Sequence, residues 1–409
     1  MTKAVKYDKI TISMMESYVN SYFSERHGLQ NMKKILALLV ALTLCVSLVA
    51  LFASCSGRTT EEATKFVFTD ITDKNGEVIG CSVAPGKLFV DDDAKEIPAV
   101  SPEGTPVTAI KRMAFLGRTT ITEVVLPDSV TTIENLAFSG CASLTKVSAN
   151  GVTVIGNYAF DACEKLSDFQ LPAGLVTIGI YAFRNCVALQ SVTLPDSLES
   201  FDAAFYRCTG LTSVTIGEIL NIGEGSFYGC TGIQSITLPE TLVEIKAFAF
   251  QNCSKLKAIV IPENVSVIEK GAFKGCSALT SATFQSNKVI ALEQTFSGCS
   301  ALTNVVLPDS LETIGESTFD YCTNLLSVTL SSALKFLGQR AFGGCTSFET
   351  LNYEGSWEQW GVVKKPDTSG NDKTETNKIS KWYEGAGNFE IDVIEEGGVH
   401  VKHQVKDSK

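Results

Sequence analysis

"AFAFQNCSKLKAIVIP" (residues 247–262) sets the period of this chain. Phe250 precedes Cys253 by three residues, and the same Phe-x-x-Cys spacing returns at intervals of 22 or 23 residues. The marker aromatics are Phe115, Phe138, Phe160, Phe183, Phe205, Phe227, Phe250, Phe273, Phe296, Phe319 and Phe342. Ten of them are followed at the third place by cysteine: Cys141, Cys163, Cys186, Cys208, Cys230, Cys253, Cys276, Cys299, Cys322 and Cys345. Arg118 holds that place after Phe115. So regular a period over so many copies marks a stacked repeat array rather than a string of ordinary domains.

One period can be parsed from "LKAIVIPENVSVIEKGAFKGC" (residues 256–276). Leu256, Ile259 and Ile261 have the spacing of a short strand whose alternate side chains point one way. Pro262 ends that strand, because it has no N–H to give to a ladder. Val265 and Ile268 make a second inward pair on a short extended run. "GAFKGC" reads as a tight helical turn with Phe273 as its wedge and Ala272 small enough for close packing. A lone coil of this length cannot offset the entropy of ordering its backbone. Stacking pairs the strands about 4.8 Å apart and covers both faces of each phenylalanine, so the array is cooperative and needs capped ends.

The cysteines fall at one phase of every coil, beside the phenylalanine. Disulfides are open to an exported chain, but Cβ atoms on parallel neighbouring coils would stand near 4.8 Å apart where a bridge wants about 3.8 Å. Pairing would also draw coils together in twos, and the spacing shows no such alternation. Cys-x-x-Cys, the usual zinc pattern, never occurs. Buried free thiols are therefore preferred over some disulfides and over metal, filling a recurrent apolar niche. The expected core ladder includes Phe138 and Cys141, Phe160 and Cys163, Phe183 and Cys186, Phe250 and Cys253, Phe273 and Cys276, and Phe319 and Cys322. A serine at such a place would bury a hydroxyl with no evident partner.

The ends of the chain read differently. "MKKILALLVALTLCVSLVALFASCSG" (residues 32–57) has a basic start at Lys33 and Lys34, a long apolar stretch, and small residues before Cys55. It resembles a bacterial lipoprotein signal with "LFASC" as lipobox, with Phe52 where leucine is usual. The resemblance implies cleavage before Cys55 and acylation of that residue, with 32–54 as signal peptide and 55–64 as linker. An uncleaved membrane helix is the alternative reading. Residues 1–31 are read as a start assigned too early, with a cytoplasmic extension as the alternative. Residues 65–106 form an expected N-terminal β cap with a hairpin turning at Asn75-Gly76. Residues 347–409 form a C-terminal β cap containing a polar, mobile loop at 363–381 and a hairpin about Gly397-Gly398. The repeats fill 107–346.

Composition excludes much chemistry. The 409 residues carry a formal charge of −11, and residues 55–409 alone carry −14, which repels nucleic acid. Of three histidines, His27, His400 and His403, none lies in the repeats, so no Ser-His-Asp or Cys-His arrangement can form there. His400 and His403 read as exposed polar residues. "DDD" (Asp91 to Asp93) lacks the spaced ligands of a calcium loop and reads as a solvated turn. No catalysis, metal or cofactor is expected.

The phrase L-x-x-L-x-L-P-x-x-L-x-x-I-x-x-x-A-F-x-x-C, as in Leu302 to Cys322, resembles the BspA-like leucine-rich repeat family of bacterial surface proteins. The likeness covers about 107 to 353, with "IPAV…EGTPVTAIKRMAF" (Ile97 to Phe115) similar to the family's lead into its first repeat and "YEGSWEQW" (Tyr353 to Trp360) to its closing segment. No proline follows Ala149, Ile216, Phe284 or Leu330, and Thr295 and Thr318 replace the alanine. The resemblance implies a leucine-rich repeat solenoid with a curved parallel sheet, and a role in adhesion to host or neighbouring-cell molecules.

Three outward strand positions per coil form rows along that sheet. Eighteen of the 33 places are serine or threonine, and five are charged: Glu123, Lys146, Asp168, Lys257 and Glu349. Strand propensity alone favours threonine there. A neutral, hydroxyl-rich concave face nonetheless suits broad contact with protein, and Thr193, Thr215, Thr237, Thr283 and Thr329 are the candidate binding residues. The expectation is a surface-exposed lipoprotein, in the outer membrane or on the outer leaflet of the plasma membrane, that binds proteins. Glycan capture for nutrient uptake or a structural envelope role are the alternatives. A glycan binder should show exposed aromatic platforms, and the strand rows contain none.

Overall fold

The computed structural model describes residues 64–363, the backbone of two short strands at 365–366 and 372–373, and a hairpin at 389–395 and 399–405. Residues 1–31, the signal at 32–54, Cys55, and most of the linker and of the 363–381 loop lie outside the described residues.

Each coil is closed by the segment around its marker phenylalanine. In the coil of Phe250, the N–H groups of Ala249, Gln251 and Cys253 bond back three residues, to the carbonyls of Lys246, Phe248 and Phe250. The intervening N–H groups of Phe248, Phe250 and Asn252 reach the next coil instead, bonding Lys270, Ala272 and Lys274 at 3.0, 2.8 and 2.7 Å. Where the sequence suggested one helical turn, the chain thus makes three successive tight turns. Phe248 and Asn252 adopt φ of 58° and 61°, which keeps every second N–H pointing along the stack. In all eleven copies the residues two before and two after the marker phenylalanine have positive φ.

This turn side ties the array together without a break. The marker N–H bonds the following coil's carbonyl ten times in succession, from Phe115 to Ala137 through Phe319 to Ala341. The strand side is less continuous. There Glu123–Val125, Lys146–Ser148 and Asp168–Phe169 form one parallel sheet, and Ser191–Leu194 pairs with Ser213–Ile216. Ala258–Ile261 then pairs with Ser281–Phe284, but residues 233–239 between these sets form no strand. A third row of two-residue strands, such as Thr132–Ile133, Val154–Ile155 and Thr177–Ile178, lines the remaining side. Leu, Ile and Val from both strand rows meet the phenylalanines in one continuous core.

The two ends are capped differently. Strands β1 (Phe66–Thr72) and β2 (Val78–Pro85) form the N-terminal hairpin, and Asp73 holds its turn by accepting from the N–H groups of Asn75 and Glu77 at 2.8 and 2.9 Å. β2 runs parallel to β3 (Val107–Ile110), so this cap extends the third row. Asp91–Glu96 forms a 3-10 helix over Glu123–Val125, the first strand of the strand side. The aspartate run is therefore not a solvated turn. Asp91 accepts from the Arg118 guanidinium at 2.9 Å, and nearly buried Asp93 accepts from Lys65 and from the Val90 N–H. Arg118 stands where later coils have cysteine because the cap puts a carboxylate there.

At the other end Phe389–Glu395 pairs parallel with Thr350–Tyr353 and Val399–Val405 pairs antiparallel outside it, so this hairpin extends the strand side. Between them helix α1 (Trp357–Val362) starts at a reciprocal cap: the Gln359 N–H donates to the Ser356 hydroxyl, and Gln359 Oε1 accepts from the Ser356 N–H. His400 is exposed beside Asp392. His403 is not an exposed polar residue: its ring stacks on Trp357 with centroids 3.8 Å apart, and its Nε2 is buried. The hairpin turns that side of the strand toward α1 and so covers it.

Candidate functional site

The interior of the array is a single aromatic column. Successive marker rings from Phe115 to Phe342 lie 4.8–5.9 Å apart and within 13° of parallel. Phe89 meets the first ring edge-on, and Phe348 stacks on the last. The ten repeat thiols are free and fully buried beside this column. Each Sγ donates to the carbonyl of the marker phenylalanine one coil earlier, at 3.0–3.3 Å, as Cys253 does to Phe227. That acceptor overturns the expectation that a hydroxyl here would lack a partner. Burial pushes the thiols up, to about 12 for Cys141, Cys208, Cys276 and Cys345 and well above the usual thiol range for the rest. A protonated, dry thiol is neither nucleophile nor ligand at neutral pH. Among the described residues no cluster of His, Cys, Asp or Glu could hold a metal ion. The column is scaffold.

The strand side offers a surface. Thr193, Thr215, Thr237 and Thr283 are exposed, and Thr329 is half-buried. Thr193 and Thr215 face each other in register. In the coils of 190–193, 212–215 and 234–237 all nine outward positions are exposed serine, threonine or glutamine: Gln190, Ser191, Thr193, Thr212, Ser213, Thr215, Gln234, Ser235 and Thr237. Some hydroxyls of the sheet are spent on the backbone, as when Thr212 donates to the Gln190 carbonyl at 3.2 Å and Thr280 to that of Lys257 at 3.0 Å. The hydroxyls of Thr193, Thr215, Thr237 and Thr283 make no hydrogen bond to described protein groups. Charge appears only beyond this patch, with Lys146 about equidistant from Glu123 and Asp168 on one flank and Lys257 on the other.

A strip of tyrosines, three half-buried and Tyr206 buried, escaped the sequence reading. On the turn edge Tyr158 and Tyr181 lie 5.3 Å apart, Tyr181 and Tyr206 5.2 Å, and Tyr206 and Tyr228 4.5 Å. The Arg184 guanidinium sits over both Tyr158 and Tyr181 and is held bidentate by buried Asp161 at 2.8 and 3.1 Å. Burial pushes the Asp161 carboxyl up, against the pull of Arg184. Arg207 covers the ring of Tyr206. Tyr158 and Tyr181 precede their marker by two residues, whereas Tyr206 and Tyr228 follow theirs by one. No column of the aligned repeats therefore reads as tyrosine, and only the substitution of tyrosine into four consecutive copies could have hinted at the strip.

Residues 100–211, 201–299 and 290–362 match the family model of the BspA type leucine rich repeat region. A leucine-rich repeat protein from Bacteroides ovatus is 27% identical, with a TM-score of 0.53 over 72% of this chain and 88% of that one. A leucine-rich cell surface protein from Faecalibacterium prausnitzii is 22% identical, with a TM-score of 0.40 over 80% of this chain and 100% of that one. The pneumococcal vaccine antigen PcpA is 17% identical, with a TM-score of 0.45 over 81% and 93%. No curated protein matches the chain.

Proposed function

The chain belongs to the BspA type leucine-rich repeat family of bacterial surface proteins, and on that premise we propose that it is a lipid-anchored surface protein that binds other proteins through its strand side. The leucine-rich repeat solenoid is generally a non-catalytic scaffold on which proteins are bound. Here the observation that carries the reading is the uncharged patch around Thr193, Thr215 and Thr237, whose side chains are exposed and whose hydroxyls make no hydrogen bond to the described residues. Because many weak contacts share such a face, its ligand is captured by shape and hydrogen bonding rather than by charge steering. Adhesion to host or neighbouring-cell molecules follows by analogy with the family. Cys55, once acylated, would fix the array to the envelope, several chains on one residue holding firmly at about 0.8 kcal/mol per buried methylene.

The test combines Thr193→Arg, Thr215→Glu and Thr237→Arg in one variant and measures binding to immobilised host matrix proteins and to partner cells. Binding should be lost at an unchanged unfolding midpoint, while Glu224→Arg with Lys270→Glu on another side should leave it intact. A folded triple variant with parental affinity for the same ligand would show that the strand side is not the binding face.

A further inference from the structure

The third row carries an apolar stripe across four consecutive coils. Leu220, Val243, Val267 and Ile290 are 59, 40, 41 and 58% exposed there. Asn221, Glu244 and Val267 face one another in register, and the Val243 N–H bonds the Leu220 carbonyl at 2.8 Å as the Ser266 N–H bonds that of Val243 at 2.9 Å. Ala291–Leu292, just after Ile290, lies beside Val267–Ile268 in the next coil, so the four side chains adjoin. The core does not need them. Their inward neighbours Ile222, Ile245, Ile268 and Leu292 already fill it, and threonine suits outward strand places as well. The stripe is also bounded: the coil before holds Glu199 and Ser200 at these places, and the coil after holds Glu312 and Thr313. Along one margin Glu218, Glu240 and Glu263 stand exposed in three consecutive coils, and Glu244 adjoins Val243. Among the described residues none of these four carboxylates has an ion-pair partner. Lys288, at the Ile290 end of that margin, reaches the Asn264 amide oxygen at 2.8 Å, and on the other margin Lys246 and Lys270 are held by Asp202 and Glu293 at 3.4 and 2.6 Å.

We propose that this stripe docks a basic amphipathic helix of a partner protein. The helix lies along the stacking axis, its apolar residues on Leu220, Val243, Val267 and Ile290 and its lysines or arginines against Glu218, Glu240 and Glu263. A row of exposed apolar side chains marks a contact surface, and here the spacing selects what fits it. Paired strands stand about 4.8 Å apart, and the turns of a helix follow one another at about 5.4 Å. Same-side residues of an extended segment recur only every 6.7 Å or so, about twice the rise per residue. Over the three steps of the stripe a helix therefore drifts by about 2 Å and an extended segment by about 6 Å. The carboxylate margin selects the charge, drawing a basic helix and repelling an acidic one. A second copy of this chain would bring the same acidic margin, which does not answer that charge. One apolar anchor per turn set into a complementary surface is how amphipathic helices are captured in general. This site lies on a different side from the strand-side patch and does not rest on it.

Residues 63–409 form a compact unit of their own and allow a test without detergent. Fluorescence anisotropy follows a dye-labelled peptide of leucine and lysine, about four turns long and patterned as an amphipathic helix. Two controls are a peptide of the same composition without helical period and one with glutamate in place of lysine. The amphipathic lysine peptide should bind, less tightly as salt is raised, and each control should bind at least tenfold more weakly. Leu220→Ser combined with Ile290→Ser should weaken binding about tenfold at an unchanged unfolding midpoint, because both side chains are exposed. Glu218→Lys, Glu240→Lys and Glu263→Lys together should weaken it and flatten its salt dependence. The Thr193, Thr215 and Thr237 triple variant should bind the peptide like the parent. Equal binding of the peptide without helical period, or parental binding by the folded serine variant, would overturn the proposal. So would self-association in sedimentation that the serine variant abolishes, which would assign the stripe to a second copy.

Discussion

The thiol of Cys253 donates a hydrogen bond to the carbonyl oxygen of Phe227, one coil earlier, at 3.2 Å. The same oxygen already accepts the Cys230 N–H at 3.1 Å, closing its own turn. One buried carbonyl thus serves both the turn within a coil and the tie to the next. That relationship, repeated down the array, explains why a residue that packs like a small hydrophobe is cysteine and not alanine.

Cys253→Ala removes the donor and leaves a small void, and should destabilise by about 1–2 kcal/mol. Cys253→Ser keeps a donor facing the same carbonyl, so it should cost no more than the alanine change. Denaturant midpoints of the two variants decide the order, and a serine variant clearly less stable than alanine would mean that the carbonyl does not accept from this side chain.

The thiols also make the array sensitive to alkali. A thiol near 9 in the unfolded chain and pushed up to about 12 at Cys208 stays protonated in the fold while the unfolded state ionises. Its contribution is fully present below about pH 9 and is lost as pH rises toward 12, at about 1.4 kcal/mol per pH unit for each thiol. With ten such groups the stability should fall steeply between pH 9 and 11. Circular dichroism against pH should show cooperative unfolding there, shifted to higher pH when two or three repeat cysteines are replaced by alanine. An unshifted transition would assign the alkaline limit to other groups.

Below that limit the thiols should be inert. Iodoacetamide at pH 8 should leave the ten repeat cysteines unmodified in the native protein and label all ten after denaturation. Labelling of Cys141 or Cys345, the outermost of the column, before the others would report fraying from the ends, as expected of stacked repeats. Uniform rapid labelling of the native array would contradict the buried positions.

Backbone strain can be tested without touching a contact. Gly225 has φ of 57°, and a Cβ added there would meet only the Ala203 and Tyr228 Cβ atoms, at 3.9 and 4.0 Å. Gly225→Ala should therefore cost about 1 kcal/mol through φ alone. Ala203, with φ of 52° at the same phase one coil earlier, should show the reverse, Ala203→Gly raising stability by about 0.5 kcal/mol after the entropy cost of glycine. Thermal midpoints moving the same way in both variants would refute the assignment of strain to this position.

Anchoring is open to direct measurement. Protein expressed from Met32 should partition into detergent and take up a fatty-acid analogue, and Cys55→Ala should abolish that labelling. Persistent labelling of the variant would remove Cys55 as the lipidated residue.

The sequence by itself determined whatever depends on neighbours within one coil. The 22–23-residue period, the inward Leu256, Ile259 and Ile261, the burial of Phe250 and Cys253, and the hairpin at Asn75-Gly76 all follow from side-chain alternation and turn chemistry inside a short window. Tertiary structure decided what depends on residues a coil or more away along the chain. It gave the Cys253 thiol an acceptor, drew Asp91 onto Arg118, hid one side of His403 against Trp357, and set residues as different as Met113, Tyr181 and Gln294 in the same left-handed conformation. It also gathered tyrosines from two different phases into one strip. Lateral hydrogen bonds and ring stacking enforce these arrangements, and both act between residues that no local pattern in the chain links.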